Sequence, residues 1–410
     1  MIPSTAKPTA ANMIPAAELP DEALEYCDNI AYQYTALVQS HAALLVMTHD
    51  GTVLQASTNT GSILGRNCED ILHTGFADAR LVADTEPIMR AIAGEHDAVP
   101  VILDGLATNA GEPLIGRMTR VPGRVHLELE FRHHPADITI DDPARRISDL
   151  AAAVSSADSV EQAAEVITSH VRSFLGYDRC MIYRFDQQFN GEVIGESRSQ
   201  RTHEAFLGLR FPTRDIPQSA RNLFATTHAR VTVDQNADCA QIAPPKDPIT
   251  HEHVDLSAVR ARGAAGSCRI YYQNMGTRAT LVIPIIAFGR LWGLLSCHHQ
   301  SPARPSPKLD HYFDLLSVVI ASAIERRLTR DANEAHFRTA TIRDTLAATN
   351  PVRPKWPDVL ESHTRAIHRV VDAQGFMMRI GGRLMTSGTV PAEADAHRLI
   401  DKLLAIADGA

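Results

Sequence analysis

The stretch Phe211-Pro212-Thr213-Arg214-Asp215-Ile216-Pro217 is bounded by two prolines near the middle of the chain. Each proline ring holds φ at roughly −65°, so a rigid turn is predicted here. Pro217 also suits the first turn of a helix over residues 218–224, where the missing proline N–H is not needed. The pattern therefore predicts that Asp215 is held with its carbonyl and its carboxylate in fixed directions. A plain turn at the start of a helix has the same pattern, and both interpretations stay open.

The residues on either side of this turn predict an antiparallel sheet with helices packed on it. The predicted strands are 180–185, 192–196, 279–286 and 291–297, the last two forming a hairpin. The predicted helices are 145–153 and 159–175, with Asp158 or Ser159 capping the second. The segment 225–262 is polar, contains proline and has little periodic signal. A loop of that length is usually functional or disordered.

Residues 20–132 predict a separate, smaller α+β domain. Its predicted elements are strands 43–47 and 53–57, a helix over 86–93, and a hairpin of strands 117–121 and 125–131. The segment His126–Phe131 alternates strictly between polar and apolar residues, which indicates a strand with one buried face. We therefore expect a small antiparallel sheet with helices on one face. The proline-containing segments 133–135 and 141–143 indicate a linker after it.

The C-terminal part predicts a long helix followed by a third unit. Apolar residues recur at steps of three and four over residues 309–340, as in a domain spine or a dimer interface. Beyond residue 351 we expect strands 375–380 and 383–386 around Gly381-Gly382, then a helix over 392–407.

Composition limits the possible functions. The chain has 410 residues, a formal charge of −8 and 44% hydrophobic residues, and it lacks the basic stripe that phosphate binding needs. No apolar run is long enough to span a bilayer, and the start does not read as a signal peptide. The six cysteines lie far apart without a CxxC pair, so free thiols in a reducing cytoplasm are predicted. We expect no nucleic-acid partner, no membrane and no metal.

The predicted strand over 291–297 leads into His298 and His299. Neighbouring residues of a strand point to opposite faces, so one histidine should point inward and one outward. The inward one could bind a carbonyl or carboxylate of a ligand, although a histidine at a strand end is usually structural. The two cannot easily bind one metal ion.

Several segments resemble the photosensory module of bacterial phytochromes. Residues 176–186, 191–197, 206–217, Tyr272-Gln273-Asn274-Met275-Gly276 and 291–299 are similar, in order and spacing, to the motifs of the phytochrome GAF domain. Upstream, Cys27 precedes residues 39–45 at the separation seen in bacterial phytochromes, and residues 380–391 resemble the start of a PHY domain. The resemblance implies an α+β fold of tandem PAS and GAF antiparallel sheets flanked by helices, joined by a long helix to a partial PHY domain. The implied domains are a flexible N-terminal tail (1–21), a PAS domain (22–133), a linker (134–148), a GAF chromophore-binding domain (149–326), and a spine helix with a partial PHY domain (327–410).

The resemblance also implies a cofactor, the linear tetrapyrrole biliverdin, held by a thioether to Cys27. Such a bilin needs a nucleophile for a vinyl group, cations for two propionates, and acceptors for its ring N–H groups. A thiol suits the first task, because thiolates add readily to activated alkenes. Taken alone, Cys27 could equally be a small buried hydrophobic residue.

The remaining cofactor-binding residues follow from the same resemblance. Arg230 and Arg262 match the residues that grip the propionates, as the planar guanidinium fork suits a carboxylate. Asp215 matches the residue whose carbonyl faces the pyrrole N–H groups and whose carboxylate contacts the PHY domain. The aromatic residues around the outer ring, and the histidine that hydrogen-bonds its carbonyl, are matched by Tyr183, Tyr271 and His298. Each could instead be an ordinary surface or core residue.

The sequence departs from the family pattern at several positions. Cys268 stands where the family has a histidine that helps to hold the protonated chromophore, and a thiol is a poor substitute. It also lies one residue after the bilin attachment site of plant and cyanobacterial phytochromes, so a second thioether is a hypothesis. Phe224 replaces a family tyrosine, and Val282 lacks a hydroxyl that Thr280 could supply near the second propionate.

The stretch after Cys27 lacks the family's proline and glycine. In relatives this stretch threads a GAF loop to form a knot. We predict that the loop 225–262 still wraps residues 20–40.

The function implied is a red/far-red photoreceptor that signals by bilin isomerisation to an output domain not in this chain, as a homodimer through the long helix. The alternative is a pigment-free PAS–GAF module for dimerisation, or for redox sensing through Cys27 or Cys268. A GAF domain for a cyclic nucleotide is disfavoured by the bilin-type turn. An enzyme is not expected, because Cys268 with His298 lacks a third orienting group.

Overall fold

The computed structural model describes residues 14–15, 30–94, 100–227, 229–348, 356–370, 373–380 and 382–407. The chain forms two compact units, residues 1–325 and 326–410. Within the described residues the strands are β1 (Ile14–Pro15), β2 (Ile30–Ala31), β3 (Leu37–Gln39), β4 (Ala42–Met47), β5 (Val53–Ser57), β6 (Val101–Ala107), β7 (Pro113–Val121), β8 (Arg124–Phe131), β9 (Asp137–Ile138), β10 (Arg179–Phe185), β11 (Gly191–Arg198), β12 (Arg210–Phe211), β13 (Arg230–Thr232), β14 (Cys239–Ala243), β15 (Ala279–Ala287), β16 (Arg290–His299), β17 (Arg304–Pro305), β18 (Gly375–Ile380) and β19 (Arg383–Gly388). The helices are α1 (Thr60–Leu64), α2 (Phe76–Ala79), α3 (Glu86–Ala93), α4 (Pro143–Ser155), α5 (Val160–Leu175), α6 (Gln218–Thr226), α7 (Gly266–Asn274), α8 (Asp310–Ala348), α9 (Trp356–His368) and α10 (Glu393–Ala407).

The first unit contains two antiparallel sheets, which confirms the α+β prediction. The first sheet has the order β3-β14-β5-β4-β8-β7-β6. Its helical face is closed by α1, α2 and α3, whose apolar residues Ile63, Phe76 and Ile88 pack with Leu45 and Leu127 of the sheet. Bulky apolar side chains exclude water from this layer and supply most of the driving force for folding.

The prediction that β8 has only one buried face is wrong. All residues from Val125 to Glu130 are buried. The second face is covered by residues 239–262, called here the wrapping segment, whose Val254, Leu256 and Val259 pack on Leu44 and Val46 of β4. The polar residues of the alternating pattern are therefore buried, where each needs a partner.

The long loop is predicted to wrap residues 20–40. The structure describes residues 30–40 of that range, and there the wrapping segment contacts them as predicted. β14 pairs antiparallel with β3 and with β5. The Leu256 N–H donates to the Gln33 carbonyl at 2.9 Å, and the Arg262 Nη1 donates to the Tyr32 carbonyl at 3.1 Å. The expected loop is not without regular structure, because residues 225–262 include β13 and β14. These strands gain their pairing from distant partners, so local periodicity does not reveal them.

The predicted flexible tail covers residues 1–21, of which the structure describes only Ile14–Pro15. These two residues pair in parallel with Ile30–Ala31.

His126 of β8 is a buried imidazole between the first sheet and the wrapping segment. It is 2% exposed, and within the described part of the chain neither ring nitrogen has a hydrogen-bond partner. Burial lowers the pKa of His126 to about 4, from its usual 6.5. Its charged form is therefore excluded from the folded state near neutral pH.

We expect His126→Leu to stabilise the protein, and more so in acid. As the pH falls below 6.5 the unfolded chain binds a proton that the folded chain cannot bind until about pH 4. This costs the wild type about 1.4 kcal/mol per pH unit, or about 2 kcal/mol between pH 8 and pH 5. Urea unfolding of both proteins at pH 8, 6.5 and 5 measures the difference. His203→Leu, at an exposed position, is the control. If the difference in unfolding free energy between His126→Leu and wild type were the same at all three pH values, His126 would not have the lowered pKa.

The second sheet has the order β12-β11-β10-β16-β15-β13. Helix α5 packs on β10 and β11, and Gly195 allows this approach, since a Cβ there would lie 2.7 Å from Ala164. Ser159 caps α5 by accepting from the Gln162 N–H at 3.0 Å, which confirms one of the two predicted caps. Helices α6 and α7 border a cavity against this sheet. α7 was not predicted, because its sequence has no clear apolar face.

The C-terminal elements agree in type with the prediction. The long helix α8 begins at Asp310, as expected, but extends to Ala348. In the second unit β18 and β19 form a hairpin and α10 follows, while α9 was not predicted. No helix in the described ranges is both long enough and apolar enough to cross a bilayer. Among the described cysteines no disulfide forms, and no cluster of described side chains is suited to a metal ion.

Candidate functional site

A cavity of about 520 Å³ lies in the first unit, against the second sheet. Its walls come from β10, β15 and β16, from α6 and α7, from the Pro212–Pro217 turn, and from Tyr32 with residues 262–265. Most lining side chains are apolar or aromatic, and the volume is within the range of small-molecule sites. The cavity is lined by eight of the predicted site residues: Tyr183, Asp215, Arg230, Arg262, Cys268, Tyr271, Thr280 and His298. The ninth, Cys27, lies outside the described residues.

Two arginines meet at one side of this cavity. The Arg230 Nη1 donates to the Arg260 carbonyl at 3.1 Å, and its Nη2 donates to the Arg262 carbonyl. Arg262 is 7% exposed and reaches back to the Tyr32 carbonyl. Within the described ranges neither guanidinium pairs with a carboxylate. Burial lowers the pKa of Arg230 to about 10, and burial with the adjacent Arg230 lowers the pKa of Arg262 well below its usual value.

Two desolvated cations side by side are unfavourable unless an anion joins them. The wrapping segment and β13 hold these cations in place. This corner of the cavity is therefore prepared for a ligand that carries carboxylates.

The predicted turn positions Asp215 at the cavity wall. Residues Thr213–Asp215 form a single 3₁₀ turn, and the Asp215 N–H donates to the Pro212 carbonyl at 3.0 Å. Arg221 of α6 ties the turn to the helix by donating to the Thr213 carbonyl at 3.1 Å. Burial raises the pKa of Asp215. The rigid turn predicted from the two prolines is confirmed.

Tyr183 and Tyr271 line the cavity as aromatic walls. The Tyr183 ring packs edge-on against Phe185 at 5.3 Å between centroids and is tilted against Phe211 at 5.8 Å. Gly191 makes room for this ring, because a Cβ there would lie 1.6 Å from the Tyr183 Cζ. Tyr271 is 39% exposed and stands edge-on to Tyr272. The structure thus fixes Tyr183 more firmly than Tyr271.

The two histidines of β16 face opposite sides, as predicted. His298 is 6% exposed and lines the cavity, with its Nε2 3.0 Å from the Ser296 Oγ and the Tyr272 ring edge-on at 5.5 Å. Burial lowers the pKa of His298 to about 3, so the ring is neutral at neutral pH. His299 faces the other way and contacts Asp178, with its Nδ1 2.8 Å from the Oδ2.

The residues that depart from the family pattern also lie at this cavity. Cys268 is on α7, partly buried and packed near Tyr32 and Ala265. Phe224 and Val282 present carbon surfaces to the cavity. Thr280 is 2% exposed on the strand beside Arg230 and lines the same wall.

Sequence reasoning missed several polar residues of the wall. Ser296 could have been found, because it lies two residues before His298 on the same strand face. Thr232 pairs with Thr280 across β13 and β15, a register that only the fold reveals. Gln235 and Tyr272 also line the cavity. No sequence signal distinguishes Gln235 from an ordinary loop glutamine.

Comparisons with known proteins agree with this architecture. A PAS fold model matches residues 27–132, and a GAF domain model matches residues 159–328. "Cyanobacterial phytochrome B" of Nostoc sp. is 26% identical over 394 residues, covering 92% of this chain and 51% of the relative. A "Bacteriophytochrome" of Xanthomonas campestris is 28% identical over 401 residues, covering 93% of this chain and 60% of the relative. A "Bacteriophytochrome" of Pseudomonas aeruginosa is 30% identical over 313 residues, covering 74% of this chain and 41% of the relative. The chain thus spans about half the length of these relatives.

Proposed function

This chain is a phytochrome PAS–GAF module, and we propose that it binds a linear tetrapyrrole in the GAF cavity and serves as the light-sensing part of a red/far-red photoreceptor. The observation that carries the proposal is the pair Arg230 and Arg262. They are cations without a carboxylate partner in the described structure, at the end of an aromatic cavity. A bilin has two propionates and a long conjugated body, and it would meet both features.

The other cavity residues fit the remaining groups of such a ligand. The proposed partner of the pyrrole N–H groups is the carbonyl of Asp215, which the turn holds in place. Neutral His298 can donate a hydrogen bond to a ring carbonyl, with Tyr183 and Tyr271 packed around that ring. Thr280 supplies a hydroxyl on the arginine side of the wall. A bilin supplies the absorption of visible light and a double bond that isomerises.

Biliverdin, attached through a thioether to Cys27, is the proposed chromophore. In that step the thiol sulfur bonds to a vinyl carbon, the vinyl π bond is lost, and the thiol proton ends on the ligand. Cys268 lines the cavity and is a second candidate nucleophile. Its thiol also supports the alternative function, a pigment-free dimerisation or redox-sensing module.

Signalling is proposed to run through the long helix to an output domain, in a cytoplasmic homodimer. Leu315 and Val318 of α8 lie one turn apart and are 56% and 61% exposed, as expected for a helix that packs on a second copy. The domain limits at 22–133, 149–326 and 327–410 remain part of this proposal.

Mixing the purified chain with biliverdin tests the proposal. We expect a covalent adduct, seen by zinc-induced fluorescence on a denaturing gel, that absorbs red light and changes its spectrum on illumination. Cys27→Ala should remove the adduct, because the thioether needs its sulfur. Cys239→Ala is the control, since this thiol does not line the cavity.

The outcomes separate the candidate functions. An adduct lost only in Cys268→Ala would reassign the attachment site. An adduct with no change under light would leave a bilin-binding protein that has lost photoconversion. No binding of biliverdin at all would overturn the proposal in favour of the pigment-free module.

A further inference from the structure

Gln235 is a buried polar side chain of the cavity wall that the proposed function has not used. It is 1% exposed and lines the cavity. Within the described part of the chain neither its Oε1 nor its Nε2 has a hydrogen-bond partner. An amide buried in this way is costly, since each unsatisfied donor or acceptor loses about 1–3 kcal/mol. A buried polar group without a partner calls for an explanation, and a ligand in the cavity would supply one.

The backbone of Gln235 is held firmly from three sides. Its N–H donates to the Arg278 carbonyl at 2.6 Å. Its carbonyl accepts from the Arg269 Nε at 3.0 Å and from the Gln273 Nε2 at 3.4 Å. Loop 233–238 is thereby fixed to α7 and to the start of β15. The side chain is directed into the cavity by a rigid support, which is how binding residues are positioned.

The cavity wall also contains another buried polar atom without a hydrogen-bond partner in the described ranges, the Nδ1 of His298. Thr280 pairs with Thr232 on one side and with His298 on the other, and all three line the cavity. Gln235 follows Thr232 by three residues, and its N–H donates to the carbonyl of Arg278, which precedes Thr280 by two residues. The wall of the cavity thus offers an amide donor, an amide acceptor and an imidazole nitrogen.

The Gln235 carboxamide has a donor and an acceptor side by side, and this restricts the ligand groups that can pair with both. A carboxylate can satisfy the Nε2 donor, but it leaves the Oε1 facing another acceptor. Arg230 and Arg262 already supply the cations that carboxylates need. A lactam has an N–H beside a C=O and satisfies both atoms of the carboxamide at once. A linear tetrapyrrole ends in lactam rings, whereas its inner pyrroles carry no carbonyl.

We propose that Gln235 is a further ligand-contacting residue, whose carboxamide pairs with a terminal lactam of the tetrapyrrole on the His298 side of the cavity. The Oε1 accepts from the lactam N–H and the Nε2 donates to its carbonyl. A carbonyl oxygen can accept two hydrogen bonds, so His298 can bind the same ring. The inference rests on the proposed bilin function and names one determinant of its specificity.

The test is biliverdin titration of Gln235→Met, which keeps the length of the side chain and removes both polar atoms. The full chain carries Cys27→Ala and Cys268→Ala in every protein, so that binding is reversible. We expect Gln235→Met to bind biliverdin at least about tenfold more weakly, from the loss of two hydrogen bonds. Asn236→Ala, on the neighbouring exposed residue, should bind as the parent does.

Two further measurements separate the lactam from other roles. With biliverdin dimethyl ester the loss in Gln235→Met should persist, because esterification leaves the lactams intact. In the ligand-free state Gln235→Met should melt at or above the parent temperature, since an unsatisfied buried amide has been removed.

Equal affinity of parent and variant would overturn the inference while leaving the bilin function in place. A loss confined to the free acid would assign Gln235 to a propionate and overturn the lactam pairing. A lower ligand-free melting temperature with unchanged affinity would make Gln235 a structural residue. If the parent itself does not bind biliverdin, the proposed function fails and this inference fails with it.

Discussion

Glu128→Gln is expected to lower the free energy of unfolding by about 3–5 kcal/mol, the range for breaking a buried ion pair from one side. Glu128 of β8 is 5% exposed, and its Oε1 accepts from the Arg117 Nη1 at 2.8 Å. The same carboxylate accepts two backbone N–H groups of the wrapping segment, from Arg260 at 3.1 Å and from Ala261 at 2.6 Å. A glutamine has no charge for Arg117, and its NH₂ group would face donors. Urea unfolding at pH 7 measures the loss.

An exposed ion pair of the same domain provides the matched control. Glu86 and Arg90 lie four residues apart on α3, with side chains 72% and 74% exposed. Solvent screens such a pair, so Glu86→Gln should change stability little. If Glu128→Gln and Glu86→Gln lower the free energy of unfolding equally, the buried ion pair stabilises the protein no more than the exposed one. A large loss at Glu128 alone would identify this carboxylate as an anchor of the wrapping segment.

The anchor connects the cavity with the start of the long helix. Arg260 donates through its Nε to the Asp310 Oδ1 at 2.9 Å, and Arg117 donates to the other oxygen, Oδ2, at 2.7 Å. Asp310 is the first residue of α8. Arg262, two residues after Arg260, lines the cavity. The position of the cavity cation and the start of the helix are thus set by one group of buried charges.

This charged interior explains where sequence reasoning failed. The alternation of His126, Glu128 and Glu130 indicates a solvent-facing side, because carboxylates are rarely buried without partners. The two carboxylates do have partners: Arg117 of the neighbouring strand β7 pairs with Glu128. Arg260 and Arg304, which pair with Glu130, come from segments more than a hundred residues away. Pairing at such separation leaves no local signal, so the second buried face was missed.

Other features were predictable because their causes are local. Two prolines define the turn at Asp215, and two apolar runs on either side of Phe288-Gly289-Arg290 define the β15–β16 hairpin that carries His298. Helix α7 and strand β14 depend on tertiary contacts instead. The family resemblance identified eight residues that converge on one cavity, whereas Gln235 became visible only when its burial and missing partners were known.

In a parent protein that carries Cys27→Ala and Cys268→Ala, so that binding is reversible, Arg262→Met should weaken the binding of biliverdin by at least about 30-fold, equivalent to about 2 kcal/mol. In the described structure Arg262 is a buried cation that meets no carboxylate, and burial together with Arg230 lowers its pKa. A propionate would offset both the burial of the Arg262 charge and its repulsion by Arg230. The charged guanidinium therefore stabilises the complex with ligand more than it stabilises the ligand-free protein. Methionine keeps much of the apolar stem and removes the fork. Arg262→Lys should bind with intermediate affinity, because lysine keeps the charge but loses the bidentate geometry.

Melting temperatures with and without biliverdin separate binding from folding. Loss of the Arg262 contact to the Tyr32 carbonyl can change the ligand-free stability. The free energy that the ligand adds to stability is set by its concentration and its affinity, so the rise in melting temperature on adding ligand should shrink in Arg262→Met. Arg210→Met is the control, because this side chain is 80% exposed and does not line the cavity. With biliverdin dimethyl ester the parent protein and Arg262→Met should bind more nearly alike, since the ester carries no anion for the guanidinium. An Arg262→Met protein that keeps full affinity for the free acid would remove the arginine pair as the basis of the proposed function.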